Sequence, residues 1–141
     1  MKKIAAIVLA CVLFLQVFSI SAFAATESNA YISRYSAYIS NPSNGVVRVD
    51  FSVTGTGYMS VIGASYIDLY ENGSLIKTFS MYNSLYAPSM VTNNTFVFSS
   101  YVTYSANPGS SYYAVVTLYA SNSSGSGTEN CTTGTVTIPS P

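Results

Sequence analysis

Apolar and polar residues alternate along "VVRVDFSVT": Val47, Val49, Phe51 and Val53 take one side, and Arg48, Asp50, Ser52 and Thr54 the other. A period of two sends successive side chains to opposite faces of a strand, so this run reads as half-buried β-structure. The same period recurs in "YYAVVTLYA", where Tyr112, Ala114, Val116 and Leu118 alternate with Tyr113, Val115, Thr117 and Tyr119. Helical periodicity is hard to find anywhere in the chain.

Further strands follow from the same pattern. "AYISRYSAYIS" (Ala30 to Ser40) places Tyr35, Ala37 and Ile39 on one face, and "NPSNG" (Asn41 to Gly45) supplies the turn after it. "GTGYMSVIGA" (Gly55 to Ala64) reads as a glycine-punctuated crossing with Met59, Val61 and Ile62 tucked beneath the sheets. "TFVFSSYVTY" predicts a strand with Phe96, Phe98 and Val102 inward, and "CTTGTVTI" a last strand with Val136 and Ile138 inward. "SMYNSLYAPSMVTNN" (Ser80 to Asn94) reads as an irregular connection, and "NSSGSGTEN" as a flexible tip.

"SYIDLYENGSLIKTF" (Ser65 to Phe79) gathers Asp68, Glu71 and Lys77 in a chain with few charges. Asn72-Gly73 between two β-like runs is the strongest short-range signal of a two-residue hairpin. With those two residues as the turn, Glu71 faces Ser74, Tyr70 faces Leu75, Leu69 faces Ile76, Asp68 faces Lys77 and Tyr66 faces Phe79. Ile67, Leu69 and Ile76 then share the core side. Asp68 and Lys77 become a cross-strand ion pair worth about 0.2–1 kcal/mol. Asp68 and Glu71 fall on opposite faces, so they cannot converge on a substrate.

Seven strands at this spacing predict an all-β fold, an antiparallel β-sandwich of the immunoglobulin/fibronectin-like kind. "NPGSSYYAVVTL" resembles the entry to the penultimate strand of fibronectin type III domains, with Tyr112 at the place of their corner tyrosine. That resemblance implies a Tyr112 hydroxyl bonded back to the preceding loop. The absence of tryptophan departs from that pattern. "YISRYSAYIS", "VDFSVTGTG", "IGASYIDLYENG" and "YYAVVTLYA" together resemble a family of small secreted proteins of Gram-positive bacteria catalogued as a domain of unknown function. The likeness covers nearly the whole chain after the signal and implies export and a β-rich domain, with no activity or site attached.

The N-terminus changes the picture of where the protein acts. Lys2 and Lys3 precede the apolar run Ile4 to Ile20, and Ala22-Phe23-Ala24 offers a small-x-small cleavage site. That order is a secretory signal peptide at residues 1–24, leaving residues 25–141 as one secreted domain. A retained transmembrane anchor is the competing reading, because the run approaches bilayer length. Beyond residue 24 the charges are Arg34, Arg48 and Lys77 against Glu27, Asp50, Asp68, Glu71 and Glu129. So sparse and slightly acidic a surface neutralises no phosphates, which argues against nucleic acid or anionic membrane as partner.

Composition also removes most chemistry. The chain has no histidine, so no Ser-His-Asp or Cys-His arrangement can form, and no histidine-ligated metal. Cys131 is the one cysteine beyond the signal; it reads either as a small half-buried apolar residue or as an intermolecular disulfide. No phosphate-binding loop or calcium loop is present, and the five carboxylates are scattered. The expectation is a non-enzymatic protein with no cofactor and no metal.

What remains is tyrosine. In a fibronectin-like order, Tyr66, Tyr70 and Phe79 of the hairpin would share an outer face with Tyr113, Tyr119, Cys131 and Thr133. Tyrosines among Ser, Gly and Asn make broad, low-entropy contacts, and their rings stack on sugars. This face is the candidate binding surface for an extracellular glycan or protein. The competing reading takes the rings as cross-strand pairs that stabilise the sheet. Self-association into a homodimer, through this face, a strand edge or Cys131, is the alternative role.

Overall fold

The computed structural model describes residues 29–141; residues 1–24, expected as a signal peptide, lie outside them. Seven strands make the fold: β1 (Ile32–Ser43), β2 (Val46–Glu71), β3 (Ser74–Ser80), β4 (Val91–Ser105), β5 (Ser111–Asn122), β6 (Gly125–Thr132) and β7 (Val136–Thr137). A short helix, α1 (Ala87–Met90), precedes β4. Every pairing is antiparallel, and the strands join in one curled sheet. The all-β, antiparallel expectation holds.

The curl is organised by β2, which runs for 26 residues. Its first half, from Val46, lies between β1 and β4; its second half, from Val61 to Glu71, lies beside β5, with β3 on its far side from Tyr66 onward. "GTGYMSVIGA" is therefore the bend of a continuous strand and not a separate crossing. Between the pairs Thr54–Val97 and Met59–Thr95 the register shifts, because β2 spends five steps where β4 spends two. At this bend the inward parity of β4 breaks, so Phe96 is 58% exposed and not inward. Phe98 and Val102, past the bend, face the core.

The two halves bury one core. Val47, Val49, Phe51 and Val53 from the first half form a single cluster with Ile62, Ile67, Leu69, Tyr112, Val116 and Leu118 from the second. The alternation of β2 and β5 thus does its work by turning both apolar stripes to a shared interior. One seam is closed where the start of β1 meets β6: Asn29 Nδ2 donates to the Thr128 carbonyl at 2.9 Å. The glycine-rich stretch expected as a flexible tip is the strand β6 itself. A Cβ on Gly127 would sit 2.5 Å from Asn29 Oδ1, so the bare backbone is what admits the residues leading into β1 so closely.

On the other side, the segment expected as wholly irregular holds α1 and the first residues of β4. Tyr86 packs edge-on against Phe79, with ring centroids 5.0 Å apart, and Met90 is fully buried. Among the described residues no helix is long and apolar enough to cross a membrane.

Candidate functional site

The hairpin turn forms at Asn72 and Gly73, both with positive φ (49° and 84°), as a two-residue turn of the primed type requires. Glu71 pairs with Ser74 and Tyr70 with Leu75 as expected. Then a bulge intervenes: Leu69 pairs with Lys77, Asp68 with Thr78 and Ile67 with Phe79. One extra residue, Ile76, moves every later side chain of β3 to the opposite face.

This bulge corrects two expectations. Asp68 makes no ion pair with Lys77; its carboxylate accepts from Thr78 Oγ1 at 2.6 Å, while Lys77 Nζ lies 4.9 Å above the Tyr86 ring. Phe79 leaves the outer face and enters the core, 3% exposed. The stretch expected as one last strand is also corrected: it divides into the end of β6 and the short β7, with Thr133 between them. Cys131 pairs with Val116 on the inward side, where it packs half-buried against the core. Thr133 is buried, its Oγ1 accepting from the Ala114 N–H at 2.9 Å. Cys131 shares its surroundings with Tyr35 and Glu129, and burial first, then Glu129, pushes the Tyr35 hydroxyl upward from its ordinary pKa.

Tyr66, Tyr70, Tyr113 and Tyr119 do stand on one outer face, formed by β3, the second half of β2, β5 and β6. Tyr70 and Tyr113 are direct partners, and their rings stack at 4.7 Å and 2°. Tyr66 leans toward Tyr82, centroids 6.1 Å apart. The central pair thus spends ring surface on itself.

Tyr112 anchors the corner below this face. Its hydroxyl accepts from the Asn107 N–H at 2.8 Å and donates to Glu71 Oε1 at 2.9 Å. Glu71 also accepts from Asn107 Nδ2 at 2.9 Å. These bonds, with one from Ser110, hold the Glu71 carboxyl below its usual pKa, and burial first, with Glu71 beside it, raises that of Tyr112. Every partner here is internal, which makes the cluster a brace between β2 and the turn before β5.

A second arrangement lies on the opposite outer face, over β1, the first half of β2 and β4. Tyr38, Asp50 and Tyr101 form one row across the three strands. Arg48 grips Asp50 through Nε (3.1 Å to each oxygen) and Nη2 (2.8 Å to Oδ1). Its guanidinium also lies 3.7 Å above the Tyr101 ring. The bond to Asp50 raises the Arg48 pKa further. In the next row, Ser99 Oγ donates to Ser52 Oγ at 2.8 Å. Tyr38 is 62% and Tyr101 47% exposed, and together these side chains line a hollow of about 260 Å³.

The sequence alone presents Arg48, Asp50 and Ser52 only as the solvent side of a strand. The signal that could have joined them is the polar stripe of β2 with a tyrosine on each neighbouring strand, and it needs the register to be seen. Among the described residues, no group of three or more His, Cys, Asp or Glu is placed to hold a metal. No protein-family model, curated protein or solved structure matches the chain.

Proposed function

We propose that this protein is a secreted, non-catalytic binding module that adheres to an extracellular ligand, a glycan or a protein, through tyrosines on an outer sheet face. The observation that carries the reading is the row Tyr38–Asp50–Tyr101, two exposed rings flanking a paired Arg48–Asp50 floor. Exposed aromatic rings beside a polar pair that is already held in place are what a binding surface of this kind needs. The kinship with exported Gram-positive proteins, and a sandwich of the fibronectin kind, belong to the same proposal. They are supported by the N-terminal signal pattern, by hairpin, β5 and β6 running side by side, and by the corner bonds of Tyr112.

Co-sedimentation of the mature protein with purified cell wall, insoluble polysaccharides and immobilised surface proteins tests this. Saturable retention that falls on changing Tyr38 and Tyr101 to alanine together is the expected result. Retention that instead falls with Tyr113→Ala and Tyr119→Ala would move the site to the other face. Retention on nothing would sink the reading.

One observation favours self-association as a second reading. Strand β4 pairs only with β2, and Val91 to Ser105 contains no charged residue and no proline. Charges and prolines are the usual protection of an open edge. Native mass measured with and without reductant decides it: a dimer that persists on reduction implicates the β4 edge, one lost on reduction implicates Cys131, and a monomer in both removes the reading.

A further inference from the structure

The chemistry of the hollow narrows what it would hold. From its lining we infer that the Tyr38–Arg48–Asp50–Tyr101 hollow is a subsite for one ring of an uncharged polysaccharide, recognised through neighbouring hydroxyls; this rests on the binding-module reading above.

The charge balance comes first. Arg48 and Asp50 are paired at close range, so the floor carries no net charge to favour an anionic or a cationic ligand. Yet both groups stay within reach, with side chains 36% and 25% exposed. Arg48 commits two of its roughly five N–H donors to Asp50, and a carboxylate has about four acceptor sites, so each keeps capacity to spare. A spare donor beside a spare acceptor suits two adjacent hydroxyls, one accepting from the guanidinium while the other donates to the carboxylate. Charge-assisted bonds of this kind are stronger than neutral ones. The pair is held in place before any ligand arrives, because the guanidinium is fixed by Tyr101 below it and Asp50 beside it.

The walls and size agree. Tyr38 and Tyr101 sit on strands either side of β2, so their backbones are about 10 Å apart. Arg48 already covers one face of Tyr101, so the sugar ring would pack on Tyr38, at about 3.5–4.0 Å of carbon–carbon contact, with the Arg48–Asp50 pair as its floor. The hollow, about 260 Å³, is smaller than the pockets that enclose whole ligands, and it is open. It therefore suits one unit of a longer chain that passes over the sheet. Ser52 and Ser99 extend a hydroxyl-bearing floor along one exit.

Affinity electrophoresis of the mature protein tests the assignment. The gels contain a soluble neutral glucan or mannan, with polygalacturonate as the anionic control and chitosan oligomers as the cationic one. The expected result is retardation in a neutral gel that changes little between about 50 mM and about 500 mM salt. Tyr38→Ala and Asp50→Asn should each weaken it by about tenfold or more, and Tyr70→Ala should leave it unchanged. Tyr38 is so exposed that its truncation does not threaten folding, and thermal midpoints check Asp50→Asn. Retardation only by charged polymers, none by any neutral one, or full retardation in both variants overturns the subsite. If the wild type still pellets with cell wall or a surface protein in those cases, the binding module stands without the subsite. If it pellets with nothing, both fall.

Discussion

Tyr70 and Tyr113 are directly paired on adjacent strands, and their rings close on each other at 4.7 Å. Tyr38 and Tyr101 also share one row, but Asp50 of β2 stands between them, so the rings do not meet: Tyr38 stays open to solvent and Tyr101 lies under the Arg48 guanidinium. Neighbouring strands bring paired side chains into contact, whereas a spacing of two strands leaves a gap wide enough for a third group. The number of strands between two tyrosines therefore decides whether their rings close on each other or leave a gap. Both outer faces depend on one element, since β2 supplies the middle of each.

The contrast between the faces breaks most completely where β2 changes partners. Gly63 has φ of +155°, and a Cβ there would collide with the Met90 carbonyl and lie 2.7 Å from Val91 Cα. Backbone cannot yield as a side-chain end can. Gly63→Ala should therefore cost about 3 kcal/mol in denaturant unfolding and disturb both tyrosine faces together. A loss below about 0.5 kcal/mol would mean that β4 can shift and that the two faces are less tied to one another than the geometry indicates.

Much of this is legible in the sequence, for a definite reason. Where alternation is unbroken, as in Val47–Val53 and Tyr112–Ala120, the buried side is the side that parity predicts. The Asn72-Gly73 turn is legible because few other residues tolerate its backbone angles. Parity fails wherever one residue is inserted, and no local signal marks Ile76 as the extra one in β3, so parity puts Phe79 on the wrong face. For Phe96 it fails at the bend of β2, a feature of long-range pairing. The β6 glycines look flexible alone and become a strand because β5 pairs with them along their length, a long-range partner that no local signal names. Parity puts Arg48 and Asp50 side by side on one face of β2, but Tyr101 joins them only once β4 is in register with β2.

The brace beneath the stacked face gives the next effect. Tyr112→Phe removes the acceptor of the Asn107 N–H and a donor to Glu71, and should cost about 1–3 kcal/mol. Glu71 adds a pH signature. Its pKa is lowered in the folded protein, so its stabilisation is complete above the ordinary carboxylate value and is lost as pH falls through the lower folded one. Thermal midpoints should therefore drop more for the wild type than for Glu71→Gln between about pH 6 and about pH 3. Equal drops would show that these bonds do not favour the ionised form.

Double-mutant cycles put the two tyrosine pairs on one scale. Tyr70→Ala with Tyr113→Ala should show a coupling of about 0.5–1.5 kcal/mol in stability. Tyr38→Ala with Tyr101→Ala should be additive within about 0.3–0.5 kcal/mol, because the rings act on separate neighbours. Coupling of similar size in both would contradict the distinction between a self-satisfied pair and an open one.

The smallest effect is the most exacting for the register of β3. Asp68 and Lys77 would have been partners without the bulge; with it, the carboxylate takes the Thr78 hydroxyl and the ammonium lies over Tyr86. A cycle of Asp68→Asn and Lys77→Met should therefore show coupling near zero, since the two half-buried charges do not touch and lie on opposite faces of the hairpin. Asp68→Ala with Thr78→Val should instead couple by about 0.5 kcal/mol, a modest value because the bond is exposed to water. Were Asp68 to couple more strongly to Lys77 than to Thr78, with a coupling that falls as salt is added, the strand would be in register without its bulge. Phe79 would then return to the outer face beside Tyr66, and that face would gain the apolar surface the stacked pair has withdrawn from it.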